Sequence, residues 1–293
     1  ACEKIVQPPA PPKAIARGKA SFATLAHVVV NKFDHHLPLY RRAEMMAAQG
    51  LDIDRSTLAD WVGGTSALLE PLVEAVGRHV LTANKLHADD TPVPVRCPGR
   101  GTTKTGRLWT YVRDDRPAAS TEPPAVLFRY SPDRKGERPR RHLASFSGVL
   151  QADGYAGFDR LYGETVQEAA CWAHVRRKFY DLHAAQASPL AEAALARIGE
   201  LYAIEAEIRG RAPDERTAVR QARAGPLLES LHGWMHATLA TLSKKSELAG
   251  AIKYALSRRA ALTRYRDDGC LEPDNNAAER ALRHAPILEA PHS

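Results

Sequence analysis

Between Leu86 and Ala152 the chain reads as short strands, and from Tyr155 to Arg266 it reads almost entirely as helix. That change of period, from two to 3.6, limits the folds open to it more than any other feature. Four runs, Leu86–Val95, Arg107–Asp114, Ala125–Tyr130 and Gly148–Ala152, are rich in Val, Leu, Tyr, Phe and Trp and are separated by Gly, Pro and Asp. A candidate helix, Gly136–Phe146, lies between the third and fourth and carries Arg138, Arg140 and Arg141. Pro92 and Pro94 lack the N–H that a ladder needs, so the first strand is expected to be regular only to about Thr91. Helical spacing then covers Glu168–Ala184, Pro189–Arg209, Asp214–Leu242 and Leu248–Arg266, and a last short helix starts near Asn276. A sheet must bury its faces under something, and helices are what this chain supplies.

Three strands, a helix and a fourth strand is the opening order of an RNase H-like sheet. The expected fold class is therefore α/β, a mixed RNase H-like sheet with a large all-helical insertion. Ahead of it, Ser21–Gly50 has helical spacing through Leu25, Val28, Val29, Tyr40, Ala43 and Met46. Gly50 breaks the pattern, Leu51-Asp52-Ile53 connects, and Asp54 or Ser56 can cap a second helix through Leu58 and Trp61. This is the layout of a helix-turn-helix, although many helix pairs joined by a short turn never touch DNA. Gly63-Gly64 is expected to end the second helix, with a third from about Ser66 to Leu81. The divisions that follow are a Pro-rich linker over 1–20, a helical region over 21–82, the first part of the core over 83–160, a helical insertion over 161–270, and a terminal helix and tail over 271–293.

Hydrophobic residues make up 44% of the 293 residues, which argues for a globular fold. No apolar run is long enough to cross a bilayer and no secretory pattern opens the chain, so an intracellular protein is expected. The formal charge of +7 favours polyanionic partners without requiring one. Cys2, Cys97, Cys171 and Cys270 are scattered with no disulfide-like framework, which fits a reducing compartment.

Three acidic positions stand out. Asp89 lies within the first strand, Asp153 directly follows the apolar run ending at Ala152, and Glu279 lies one turn into the last helix. Carboxylates at core strands are costly unless paired or bound to metal. Three that converge suit Mg²⁺ or Mn²⁺, which take hard oxygen ligands. Two such ions about 4 Å apart activate the attacking oxygen and stabilise the leaving one in phosphodiester transfer. Ordinary readings stand beside this one. Asp153-Gly154 makes a good turn, Glu279 suits a capping box from Asn276 or an ion pair with Arg283, and Asp89 and Asp90 could be solvated edge charges. Strand alternation puts Asp89 and Asp90 on opposite faces and does not choose between them.

Four ordered segments carry a resemblance. His87-Ala88-Asp89-Asp90-Thr91-Pro92-Val93, Leu150-Gln151-Ala152-Asp153-Gly154-Tyr155, Cys171-Trp172-Ala173-His174-Val175-Arg176-Arg177 and Asp274-Asn275-Asn276-Ala277-Ala278-Glu279-Arg280 resemble the transposases of the IS66 insertion-sequence family over roughly residues 2–283. The resemblance implies an Asp-Asp-Glu transposase whose RNase H-like core holds two Mg²⁺ (or Mn²⁺) ions through Asp89, Asp153 and Glu279, with Asp89 bridging them. It implies cleavage and strand transfer at the ends of an insertion sequence. The implied partners are double-stranded DNA and further copies of the chain, in the bacterial cytoplasm, at the nucleoid when bound. Cys171 and His174 resemble a Cys-x-x-His motif found after the second Asp in several such enzymes, and three residues apart on a helix they are expected to face the same way. No second ligand pair for zinc lies nearby, so packing of the insertion helix against the active site is the expected role. Arg176, Arg177 and Lys178 suit phosphate contacts, or form a solvated helix face.

Two departures from the family pattern shape the remaining expectations. Ala1-Cys2-Glu3-Lys4 resembles the end of a Cys-rich zinc segment, and His284–Ser293 does not resemble the family's closing strand and helix. Glu279 is therefore expected on a weakly supported, fraying helix, and the chain alone is expected to show little Mg²⁺-dependent cleavage. A non-catalytic remnant that binds DNA or sister subunits, and an RNase H-like structure-specific nuclease, are the alternatives.

Overall fold

A computed structural model describes residues 12–15, 18–97, 101–243 and 245–283. Most of the proline-rich stretch and all of His284–Ser293 lie outside the described residues. The chain divides into two units, one of residues up to Ala75 and one beginning at Val76.

The first unit is helical. Helices α1 (Phe22–Phe33), α2 (Leu39–Ala48) and the greater part of α3 (Arg55–Leu81) enclose Val28, Met46 and Leu58, with Leu39, Ala43, Ile53 and Trp61 packed around them. Ser21 caps α1 by accepting from the Thr24 N–H at 3.2 Å. The helical run expected over Ser21–Gly50 is broken in two, because a proline at position 38 disfavours helical backbone in the residue before it. Gly50, at φ 82°, ends α2 as expected. Gly63 and Gly64 do not end a helix, which corrects the expectation. Two glycines cost roughly 1 kcal/mol each relative to alanine, while Leu58, Trp61 and Val62 hold the early turns in the core. At Gly64 a Cβ would lie 2.8 Å from the Ile15 side chain, so the missing methyl lets that residue pack closely.

The second unit is built on a five-stranded mixed sheet of order β3-β2-β1-β4-β5. The strands are β1 (Lys85–Cys97), β2 (Thr102–Arg113), β3 (Ala125–Ser131), β4 (Gly148–Ala152) and β5 (Val166–Ala170), with α4 (Glu137–His142) between β3 and β4. β2 runs antiparallel to both β1 and β3, whereas β4 runs parallel to β1 and to β5. β1 continues well past Thr91, with Pro92 opposite Arg107 and Pro94 opposite Thr105. The prolines are tolerated because β4 pairs only with Lys85–Ala88, leaving the later part of β1 partnered by β2 alone.

One core cluster includes Leu86, Ala88, Trp109, Tyr111, Leu127, Leu143, Leu150 and Phe158. A second is mostly helical and draws on α5 (Trp172–Gln186), α6 (Pro189–Ile208), α8 (Gly225–Thr241) and α9 (Glu247–Ser257). The helix expected to begin at Glu168 begins instead at Trp172, since Val166–Ala170 forms the edge strand β5. The short helix α7 (Pro213–Val219) leads through a π-helical turn, Arg220–Ala224, into α8. That turn belongs to a buried charge network. Arg220 donates to both Glu205 oxygens (2.8 and 2.6 Å) and to the carbonyls of Tyr265, Asp268 and Leu271. Arg216 donates to the Gly269 carbonyl at 2.7 Å and to Glu272 at 2.5 Å. Both guanidinium groups are almost wholly buried, with their charges met by Glu205 and Glu272. They fasten the segment that follows α10 (Arg259–Thr263) and leads to α11 (Asn276–Arg283), the helix carrying Glu279.

Candidate active site

Parallel pairing of β1 with β4 ends at Ala88 opposite Ala152. Asp89 and Asp153 are the next residue of each strand, so the register sets them side by side at the carboxyl end of the paired segment. Asp89 continues in β1 opposite Thr110, while Asp153 opens a turn by accepting from the Tyr155 N–H at 3.2 Å.

Asp90 and Asp89 have opposite surroundings. The Asp90 side chain, 1% exposed, accepts three contacts of 2.8–3.0 Å from Arg134 and lies 3.1 Å from Arg107. Two arginines thus neutralise it. Asp89 has no ion pair among the described residues and accepts only the Asp90 N–H, at 2.8 Å. Burial pushes its carboxyl up to about 7. The Asp90 N–H opposes that shift, and the charges of Asp153, Asp90 and Glu279 add to it. A buried carboxyl repelled by three others and held by no cation is a site short of positive charge. Arg134 comes no closer to Asp153 than 3.9 Å and lies over the Tyr155 ring, 3.9 Å from its centroid.

Glu279 approaches from α11, which packs against β1 and β2. This corrects the expectation of a fraying helix. The helix is short, but tertiary contacts hold its entry: Trp172 N–H donates to the Pro273 carbonyl at 2.9 Å, and the Asn275 side chain, fully buried, donates to the Ala88 carbonyl at 2.7 Å. Gln151, two residues before Asp153, exchanges hydrogen bonds with both backbone groups of Glu272.

Helix α5 forms a wall beside the carboxylates. A cavity of about 470 Å³ is lined by Asp153, Arg134, Tyr254 and Lys178, and a second of about 380 Å³ by Glu279, Arg176 and Tyr180. His174, Arg177 and Asp181 line both, being spaced three and four residues apart along one helix face. Arg176, Arg177 and Lys178 are all exposed, and the Lys178 ammonium lies 4.6 Å from the Tyr254 ring centroid.

Cys171 is not on the helix with His174. It is the extended residue preceding α5, and its buried sulfur accepts from the Asn275 N–H at 3.2 Å. Burial pushes its thiol up to about 12, which keeps it neutral. Of the Cys-x-x-His pair, only His174 lines the cavities, and its Nδ1 is buried without a hydrogen-bond partner.

Among the described residues no group of three or more His, Cys, Asp and Glu side chains is gathered closely enough to hold one metal ion. The carboxylates fit a divalent ion in a looser sense. Mg²⁺ is commonly held by one or two carboxylates, with water and substrate phosphate completing its octahedron. Asp89 and Asp153 suit that role, being side by side in register, with Asp89 making no ion pair among the described residues and Asp153 only the 3.9 Å contact with Arg134. Asn275, Gln151 and Arg134 are the residues that sequence reasoning passed over. Asn275 and Gln151 fall within two of the segments that carry the family resemblance, whereas Arg134 left no signal.

The family model "Transposase IS66 family" matches residues 17–289. Three curated proteins of Sinorhizobium fredii (strain NBRC 101917 / NGR234) are similar over nearly the whole chain. Uncharacterized protein y4hP is 41% identical over 96% of this chain and 54% of its own length. Uncharacterized protein y4qI is 39% identical over 95% and 53%, and uncharacterized protein y4jD 38% identical over 97% and 57%. The chain thus spans about half the length of the curated relatives it matches. With a family match across almost its whole length and relatives this similar, the chain belongs to the IS66 family of transposases.

Proposed function

We propose that this chain carries the strand-cleaving and strand-joining centre of an IS66 transposase, with Asp89, Asp153 and Glu279 as its carboxylates. The observation that carries the reading is the pairing register, which sets Asp89 beside Asp153 at the ends of adjacent parallel strands, with Glu279's charge reaching Asp89 from α11. The strand order, with β2 antiparallel inside an otherwise parallel centre, supports an RNase H-like core. In this reading Asp89 and Asp153 hold Mg²⁺, and Glu279 completes the site. Bound divalent ions would supply an activated attacking oxygen and charge relief for the leaving one. The residues of α5 do the rest. Arg177 and Lys178 draw the phosphate backbone along the groove, and His174 presents its ring at the junction of the two cavities. Helices α2 and α3 are the elements we assign to recognition of the element's ends, as a helix-turn-helix, and the active form would be a homo-oligomer on DNA.

The test is Mg²⁺-dependent nicking and strand transfer on duplexes carrying the terminal sequences of the encoding element. Both activities should be lost in Asp153→Asn. Transfer separates a transposase from a nuclease that only cuts, and duplex binding with neither activity would identify a non-catalytic protein. The basic cluster makes a separate prediction. Affinity for duplex DNA should fall with salt, and replacing Arg176, Arg177 and Lys178 together by Ala should flatten the logarithmic salt slope by roughly two to three. An unchanged slope would make the cluster a solvated helix face.

A further inference from the structure

We propose that Asn275, backed by His87, is the positioning residue that sets Glu279 against Asp89; this rests on the catalytic reading given above. Asn275 is fully buried and touches three elements of the site at once. Its carbonyl accepts from the Ala278 and Glu279 N–H groups at 3.1 and 3.4 Å, so its backbone launches α11. A side chain at such a position usually caps its own helix. Here that task falls to Asp274, which accepts from the Asn276 N–H at 3.1 Å. The Asn275 amide is turned instead toward β1, where Nδ2 donates to the carbonyl of Ala88, the residue bonded to Asp89. Its own N–H donates to the Cys171 sulfur, at the start of the helix that carries His174.

His87 completes the clamp, and the chemistry fixes how. Because Asn275 uses Nδ2 as the donor to Ala88, its Oδ1 is the acceptor left for His87, whose Nδ1 lies 3.2 Å away. His87 must therefore carry its proton on Nδ1. Strand alternation puts His87 and Asp89 on one face of β1, two residues apart. The other ring nitrogen, Nε2, is buried without a partner at a cavity of about 230 Å³ that Asn276, Ala277 and Arg280 of α11 also line. Asn276, Ala277 and Arg280 thus face the His87 side, while Glu279 faces the groove beside α5. A shift of α11 over His87 therefore carries Glu279 with it.

An aspartate at this position would keep the shape but lose the donor to Ala88 and bury a charge beside Asp89. An alanine would remove the clamp alone. The experiment measures hydrogen exchange, cleavage and DNA affinity on the full chain for Asn275→Ala, Asn275→Asp and His87→Asn. In Asn275→Ala, amide protection should fall across α11 while β1 and β4 stay protected. Partners that orient carboxylates around a metal typically change affinity or activity by roughly 10–100-fold. The cleavage rate should fall within that range, the Mg²⁺ concentration at half-maximal rate should rise, and the KM for DNA should not change. A residue needed only for stability would loosen the sheet with α11 and leave the Mg²⁺ requirement unchanged. His87→Asn, which keeps a donor toward Oδ1, should retain more activity than Asn275→Ala, and Asn275→Asp less than either. If the unsubstituted chain cuts nothing, selective loss of α11 protection still supports the clamp, and the catalytic reading is what fails. Unchanged α11 protection, or an unchanged Mg²⁺ requirement in a chain that cuts, would overturn the proposal.

Discussion

Replacing Asp89 by Asn should abolish metal-dependent cleavage and, at pH 8, make the metal-free protein harder to melt. The two effects share a cause. The Asp89 carboxyl titrates at about 7 in the folded protein and at its ordinary 3.8 in the unfolded chain. Between those values the folded state binds the extra proton, so stability falls as pH rises from about 4 to about 7 and then levels off. A difference of that size corresponds to on the order of 4 kcal/mol of destabilisation above pH 7. The Asn variant should lack this decline, and Mg²⁺ should raise the melting temperature of the original chain without helping the variant. Asp90→Asn should do the reverse, losing about 2 kcal/mol because Arg107 and Arg134 keep their positions without their carboxylate. Thermal melts from pH 4 to 8, with and without Mg²⁺, decide the matter. A pH-independent difference between Asp89→Asn and the parent would show that Asp89 is an ordinary solvated carboxylate.

The largest loss of stability is expected at Arg220, in the network that fastens the segment leading to α11. Its guanidinium is fully buried, and Glu205 depends on it for most of its charge compensation. Arg220→Ala leaves that carboxylate inside the protein with Arg216 at 3.5 Å as its nearest cation. Removing one member of a buried pair costs roughly 3–5 kcal/mol, on the order of 10 °C in a domain of this size. Replacing Arg220 and Glu205 together by Leu should cost less than Arg220→Ala alone, because no unpaired charge remains. If the single variant melts within about 2 °C of the parent, water reaches the network and compensates it.

Much of the core could be read from residue order. Val, Leu, Tyr and Trp runs between Gly, Pro and Asp located β1 to β4, and the helical period located most of the insertion. β5 was hidden because Val166–Ala170 is made largely of Gln, Glu and Ala, which favour helix. Its edge position is held by side chains distant in sequence, with Arg264 donating to the Glu168 carbonyl at 2.8 Å and Arg258 paired with the Glu168 side chain. The same limit applies to the site. Asp89 and Asp153 could be picked out because carboxylates beside apolar strands are rare. Asn275 stands in a segment that carries only the resemblance, and its side-chain partners lie some 190 residues earlier, where no local pattern reaches. The support for α11 is hidden from local pattern for the same reason, since a short helix looks weak on its own and its strength lies in the preceding loop, fastened to β1, β4 and α5.

That fastening also bears on when the protein becomes competent during synthesis. Asp89 and Asp153 can pair as soon as β4 has emerged, but the segment that seats Glu279 is held by Arg216, Arg220, Glu205 and Gln151, drawn from both sheet and insertion. Contacts this distant in sequence form late, after the elements between them have folded and the loop-closure entropy has been overcome. A chain still leaving the ribosome would thus hold two carboxylates in register without the third. Under the proposed function, this order of emergence would withhold DNA cutting from unfinished molecules, with the helical insertion as a delay between the two halves of the site.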